Sequence, residues 1–339
     1  MIQGKTPEIV LTRSVFKNIT AKRKDVAHVH VGADASGIVA GNHHIVFKTS
    51  GVVDYTDYDR HLYTFYKVYN SLLAEKAIPI AMELNILLPM EAKEKDIKAA
   101  VKEYDNLCRI HGMEITGGNT QVTDTVNTIV TTVTMVGEAV EDRRECADRI
   151  KNAKALNDDH SEDQISVIMT KAMGIEGTAV IARNHESMLR ERFNGRFVDE
   201  CLCFKEHISI EKEARVVMSI PDTVMHDVSS TGVYGAIWEL AVYFGMGASV
   251  DLKSIPVWQE TIEVTELFDI NPYKMTSSGS VLVATRTPEL VLDRLEDERI
   301  PSCIIGHLVR GNDKILINND EIRYLEPPRG DDIYLQNNK

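Results

Sequence analysis

The spacing of apolar residues along this chain changes repeatedly between helical and strand-like periods, which predicts mixed elements in both halves. Residues 7–20 predict a first helix. A turn at Gly32-Ala33-Asp34-Ala35-Ser36-Gly37 follows, then two short strands at 38–40 and 44–48. From Tyr58 onward, Leu62, Phe65, Tyr66, Tyr69, Leu72 and Leu73 recur at helical spacing and mark a buried helix face. Residues 78–88 read as a strand that stops at Pro89. The stripe Ile97, Ala100, Val101, Tyr104, Leu107 and Cys108 predicts a second amphipathic helix, closed by a glycine cap at Gly112. A short strand at 113–116 leads to a turn at Gly117-Gly118-Asn119-Thr120. Residues 126–137, almost all β-branched or apolar, then predict a long buried strand.

Residues 141–164 are charged and carry no long apolar run, so the domain linker is expected there. The boundary near residue 155 gives domains 1–155 and 156–339. Beyond it, a strand at 165–169 feeds a helix starting near Gly177, and 211–219 predicts another helix. After Gly232, a helix carries Val233, Ala236, Ile237, Leu240, Ala241 and Phe244 on one face. A strand at 280–285 precedes Thr287-Pro288, an N-cap and a proline suited to the first helical position. Strands at 302–309, 314–317 and 321–325 complete the second half. Strands and helices alternating in both halves predict two α/β or α+β domains.

Composition narrows the function classes. With 339 residues, 43% apolar and 26% charged, the chain has material for two ordinary globular domains. A net charge of −13 without a Lys/Arg stripe argues against general nucleic-acid binding. An anionic small ligand therefore needs locally placed cations. The apolar runs are too short for a membrane span, and the start Met1-Ile2-Gln3-Gly4-Lys5 is not basic-then-apolar, so a cytoplasmic location is expected. Five cysteines do not make a disulfide framework. The pair Cys201 and Cys203 has no second pair to complete a zinc site, and reads as two reduced thiols. His43 and His44 adjoin a strand, where neighbouring side chains face opposite ways, so they cannot share an ion.

The strongest chemical signal is the run from Met169 to Ala182. A β-branched strand (Ile165, Val167, Ile168) enters Lys171, a turn at Gly174 and an apolar helix from Gly177. Glycine, lysine and a helix N-terminus are the parts of an anion site, because the helix end carries partial positive charge and glycine admits close approach. It is not a Walker A loop, whose pattern occurs nowhere in the chain. Lys171, Gly174 and Gly177 are thus candidate phosphate contacts; the alternative is an exposed lysine after a strand. Asp227 beside His226 reads as an acid–base pair, or as a pair satisfied by backbone groups ahead of the Gly232 helix. Asp34 reads as a metal ligand or as a turn residue. Asn70, Asn119 and Thr120 read as nucleotide contacts or as structural residues. Asp54, Asp57 and Asp59 form an acidic cluster, either replacement ligands or a solvated approach to a helix.

In order along the chain, these segments resemble the AIR synthase (aminoimidazole ribonucleotide synthetase) superfamily. Gly32-Ala33-Asp34-Ala35 matches its G-D-D-A turn, Lys48-Thr49-Ser50 its T-T-D strand end, and Tyr69-Asn70-Ser71-Leu72 its V-N-D-L helix, followed by Ala77-Ile78-Pro79 for A-x-P. Gly118-Asn119-Thr120 matches its G-D-T or G-H-T turn. The segment Met169-Thr170-Lys171 through Gly174, Glu176, Gly177 and Thr178 is closest to M-T-K-x-x-G-x-E-G-T of the hydrogenase-maturation branch, HypE. His226-Asp227 with Gly232 resembles that branch's H-D-P-T-R-G-G, Thr276-Ser277-Ser278-Gly279 its S-E-G, and Ile305-Gly306 its final I-G-x-V strand.

The resemblance implies a two-domain fold whose N-terminal sheet forms a barrel with a partner subunit's sheet, with a C-terminal α/β domain beside it. It also implies a homodimer, an ATP site near the domain boundary and magnesium held by N-terminal aspartates. Of those aspartates Asp34 remains; Ala33, Ser50, Ser71 and Asn119 stand at the others, Ser230 replaces an arginine and Ser278 a glutamate. The branch's carbamoyl chemistry uses a C-terminal tail ending in cysteine, whereas this sequence ends Asn337-Asn338-Lys339 with its last cysteine at Cys303. The expectation is therefore an ATP-binding, HypE-related protein with a divergent ATP-dependent activation reaction. The alternatives are a non-catalytic dimeric paralogue that binds or regulates another protein, and AIR synthase itself, acting in purine synthesis.

Overall fold

In the computed structural model, which describes residues 3–21, 23, 26–27, 31–152 and 164–338, two sheets form, one in each half of the chain. The first half runs α1 (Glu8–Ser14), β1 (Val26–Ala27), β2 (Ser36–Ala40), β3 (His43–Thr49), α2 (Arg60–Ala74), β4 (Ala77–Leu88), α3 (Glu94–Ile110), β5 (Glu114–Val122) and β6 (Val130–Ala139). Its six strands lie in the order β1-β2-β3-β6-β4-β5, with β4 and β5 parallel and the other pairs antiparallel. The predicted stripe of α2 buries Phe65, Tyr69, Leu72 and Leu73 in a cluster with Met82, Leu84 and Ile86 of β4 and Met135 of β6. On the opposite face of β4, Ile78 and Ile80 stand 58% and 51% exposed.

The second half begins with α4 (Arg143–Asn152) and continues β7 (Ile165–Thr170), α5 (Ile175–Asn184), α6 (Glu186–Arg192), α7 (Gly195–Cys203), α8 (Glu211–Met218), β8 (Thr223–Val228), α9 (Gly232–Phe244), β9 (Gly247–Asp251), α10 (Gln259–Phe268), β10 (Ser280–Thr285), α11 (Pro288–Asp297), β11 (Ser302–Val309), β12 (Lys314–Asn318) and β13 (Glu321–Tyr324). These strands lie in the order β13-β12-β9-β11-β7-β10-β8. One face packs on Val233, Ile237, Leu240 and Phe244 of α9. The other contributes Ile168, Met225, Val281 and Val283 to the same cluster that holds Leu72 of α2, so one apolar core joins the two sheets. Burial of that kind is the main favourable term in fixing the two halves against each other. None of the described helices is long and apolar enough to cross a membrane.

Several element readings change. The Gly117–Thr120 segment is not a turn but the middle of β5. A side chain at Gly118 would run into the carbonyl of Leu84, so glycine lets β5 lie close along β4. The long strand starts at Val130, opposite Leu87, because β4 ends at Leu88 and offers no partner further on. Residues 143–152, read as charged linker, form α4, whose Cys146, Ala147 and Ile150 join the second core. The charges around them occupy the helix's other face, which hid its short apolar stripe. The expected boundary near residue 155 lies outside the described residues. Thr287 does stand at the N-cap of α11, yet its side chain does not cap; its hydroxyl lies 3.2 Å from that of Thr285. Sequence reading missed β8, β9, α6, α7 and α10, the short elements between its stronger signals.

Candidate functional site

Where the two halves meet, a cavity of about 400 Å³ opens between the β3 end, α2, the β8 end and α9. Strand alternation brings Val46 and Lys48 of β3 to the same face, and Lys48 is at the cavity while Val46 is in the core. On α2, Lys67 and Ser71 lie one turn apart and both line the space. Asp227 enters from the end of β8, Glu239 from α9, and Lys5 and Asp331 from segments near either end of the chain.

Behind these groups lies a buried ionic network. The Asp34 carboxylate sits 3.1 Å from Arg143 Nη2 and 2.9 Å from His226 Nδ1. Arg143 also reaches Glu75 at 2.6 Å, and Glu75 accepts the backbone N–H of Asp34 at 2.9 Å. His226 Nε2 lies 3.4 Å from Glu239, which pairs with Lys5. Burial alone would lower the His226 pKa, but Asp34 and Glu239 outweigh it and push it up to about 9. Burial would raise Asp34; His226 and Arg143 instead hold it below the usual carboxylate range. Against the same burial, Lys5 and His226 hold Glu239 down to about 2.

Asp227 differs from its neighbours. It is buried, and neither of its carboxylate oxygens has a hydrogen-bond partner. Burial first, and Asp34 second, push its pKa up to about 7. A carboxyl poised near neutrality, facing a cavity with no internal partner, can take or give a proton there. Lys48 donates to the backbone oxygen of Asp34 at 2.5 Å, and burial lowers its pKa.

The expected site residues divide. Asp34 and Asp227 line this cavity, and His226 stands behind it with both ring nitrogens beside carboxylates. Lys171 does not face it. Its amine lies 3.0 Å from Glu213 and donates to the carbonyls of His207 and Ser209 at 3.0 and 2.7 Å, beside a separate cavity. The α5 start is filled from within: Gly174 N–H donates to Ser277 Oγ at 2.6 Å and Gly177 N–H to Thr276 O at 3.1 Å. A Cβ on Gly177 would fall 2.5 Å from Met275 Sδ, so this glycine serves close packing. Asn70 is fully buried and clamps the chain before α8, donating to Ile208 O at 2.7 Å and accepting from Ile210 N at 3.2 Å. Asn119 and Thr120 are exposed on β5, away from the cavity. Of the acidic cluster, Asp54 lines the cavity and accepts from Tyr334 at 2.6 Å, while Asp57 and Asp59 pair with Arg60 and Lys205.

Sequence reading missed Lys5, Lys48, Lys67, Glu176, Glu239 and Asp331. Glu176 is fully buried, accepting from Tyr55, from Lys67 at 3.2 Å, from Thr276 Oγ1 at 3.1 Å and from Ser278 N at 3.2 Å, so it ties α5 to α2. Two signals were available. Lys48 stands inside the Lys48-Thr49-Ser50 motif, and Lys67 shares a helix face with Ser71. Asp331 follows the last strand and carries no pattern of its own.

Comparison with known proteins follows the same segments. The AIR synthase related protein N-terminal domain family matches residues 32–139, and its C-terminal domain counterpart matches residues 165–318. A candidate hydrogenase expression/formation protein of Methanocaldococcus jannaschii is 21% identical over 95% of both chains. Among solved structures, a HypE–HypF complex superposes with a TM-score of 0.71 at 17% identity, covering 94% of this chain and 99% of the other. The hydrogenase maturation protein HypE in complex with ATP gives 0.64 at 13% identity, covering 96% of both.

Proposed function

Because this chain belongs, in both of its halves, to the AIR synthase related proteins, we propose that its interdomain cleft binds ATP and directs the terminal phosphoryl group onto an amide, carbonyl or similar oxygen of a small substrate. One observation carries the reading. A single cavity gathers Ala33, Asp34, Ser50, Ser71, Asp227 and Ser230, drawn from four separate motifs of the family resemblance. A structural relative with the same two-domain fold is described in complex with ATP, and about 400 Å³ falls in the range of ordinary ligand pockets.

In this reaction the bond from the γ-phosphorus to its bridging oxygen breaks, ADP leaves, and a new oxygen–phosphorus bond makes the substrate oxygen a leaving group for a nitrogen or sulfur nucleophile. Such transfer depends on positioning and on neutralising phosphate charge. Asp227 is the acid–base group at the reacting oxygen. His226 acts as a positioning residue, since both its nitrogens hold Asp34 and Glu239 in place. Calorimetry with ATP, followed by a phosphate-release assay, tests the reading. Micromolar binding with release supports it, and no heat at millimolar ATP sinks it.

A second reading has its own support. A structural relative is described in a complex with a second protein, HypF. On this reading the protein binds nucleotide without turning it over and acts on a protein partner; binding without ADP formation when amide or carbonyl acceptors and a nucleophile are also supplied favours it. In either case the open face of the first sheet, with Ile78 and Ile80, is the homodimer surface, and Ile80→Glu should halve the mass measured by light scattering.

A further inference from the structure

Resting on that nucleotide reading, we infer that the cleft holds a phosphate chain directly on the ammonium groups of Lys48 and Lys67, in place of divalent cations. The residues that the family resemblance assigns to magnesium do not fit that ion. Asp34 is already in ion pairs with Arg143 and His226. Ser50 Oγ accepts the Val133 N–H at 3.0 Å, Ser71 Oγ donates to Lys67 O at 2.8 Å, and Ala33 offers no side-chain oxygen. Magnesium needs a near-octahedral oxygen shell with carboxylate charge, and the described residues gather no such set.

Cations of the protein stand in the same space. An ammonium has three donors. Lys48 uses one, on Asp34 O at 2.5 Å. Lys67 uses two, on Thr276 Oγ1 at 2.9 Å and Glu176 Oε2 at 3.2 Å. Both side chains line the cavity, where non-bridging phosphate oxygens accept from lysine as from a point charge. Carboxylates face this space as well: Glu239 is paired with Lys5, Asp54 accepts from Tyr334, Asp331 accepts from the backbone N–H groups of Thr231, Thr276 and Ile333, and Asp227 has no partner among the described residues. The Asp227 carboxyl, raised to about 7, is partly neutral near pH 7, which reduces its repulsion of a phosphate.

Calorimetry with ATP, and separately with inorganic tripolyphosphate, in EDTA and in millimolar magnesium decides the matter. Both probes are expected to bind in EDTA, within about threefold of their affinity with magnesium. Lys48→Gln should weaken both in EDTA by about tenfold, the loss of one charge-assisted contact. Circular dichroism and urea midpoints establish that the variant is folded, and Lys48→Met, which removes the same charge without leaving a buried carboxylate unpaired, provides a second variant should Lys48→Gln fail to fold. Binding that requires magnesium overturns the lysine site and leaves the nucleotide reading standing. No binding in either buffer overturns both. ATP binding in EDTA without tripolyphosphate binding, or unchanged affinity in a folded Lys48→Gln protein, overturns the phosphate contact alone.

Discussion

The segment around Lys171–Gly177 and the interdomain cleft invert each other. The first has the sequence of an anion site, yet its polar groups are satisfied by the protein: Lys171 by Glu213 and two carbonyls, Gly174 and Gly177 N–H by the 276–277 segment. The cleft has lost most of its recognisable motif residues, yet it keeps a buried carboxyl with both oxygens unpartnered and a half-buried lysine amine bonded to one backbone oxygen. A motif therefore reports what a stretch of chain is built from, and unsatisfied buried polar atoms report where something else is expected. The largest test of this contrast is Glu176→Ala. It leaves Lys67 without its carboxylate partner and removes an acceptor for Tyr55, Thr276 and Ser278. Breaking a buried pair from one side costs about 3–5 kcal/mol. Urea unfolding should show a loss of that size, and a loss below about 1 kcal/mol would mean that the motif is not an internal tie between α5 and α2.

Next in size is Lys171→Ala. Glu213 is 4% exposed and would lose its cation, and two carbonyls would lose a donor. The expected cost is about 2–3 kcal/mol, with ATP affinity unchanged. A folded variant of unchanged stability but greatly weakened ATP binding would restore Lys171 as a phosphate contact and collapse the distinction between the two regions.

Most of the fold could be read from the chain because its long elements carry strong periods. The α2 stripe from Leu62 to Leu73 and the apolar run of β4 each bury one face, and burial is what periodicity encodes. The failures have physical causes. Gly118 was read as a turn because glycine signals a bend, whereas here it permits close strand approach. Helix α4 was hidden because a ten-residue helix needs few apolar residues to bury one face among many charges. At the site, Asp34 and Asp227 were legible through their motifs. Lys48, Lys67 and Glu239 were not, because their meeting depends on the packing of three elements distant in sequence.

Asp227→Asn sharpens the comparison through pH. The carboxyl has a folded pKa of about 7, above its ordinary value of 3.8. Between those values the native state binds more protons than the unfolded state, so stability falls as pH rises from about 4 to 7. Asparagine removes this term. The variant should match the parent near pH 4 and exceed it near pH 8, by at most about 4 kcal/mol for a shift of that size. His226 has the same sign, with stability present below about 6.5 and lost as pH rises through about 9, and that loss should persist in the variant. Phosphate release, where present, should fall at least about 100-fold. A variant that loses stability at every pH would show that Asp227 has an internal partner after all.

The smallest expected effect belongs to Asn119→Ala. Asn119 is exposed on β5 and donates to Asn85 Oδ1 at 3.2 Å, a contact between two solvent-facing amides of neighbouring strands. Its removal should change stability by less than about 0.5 kcal/mol, as for surface positions in general. ATP affinity should also stay the same if the cleft of one chain is sufficient, because β5 does not line it. The affinity measurement is the informative one. A loss of more than about tenfold, equivalent to 1.4 kcal/mol, with unchanged stability would mean that β5 of a second copy completes the cleft, and the site would then belong to the dimer rather than to the protomer.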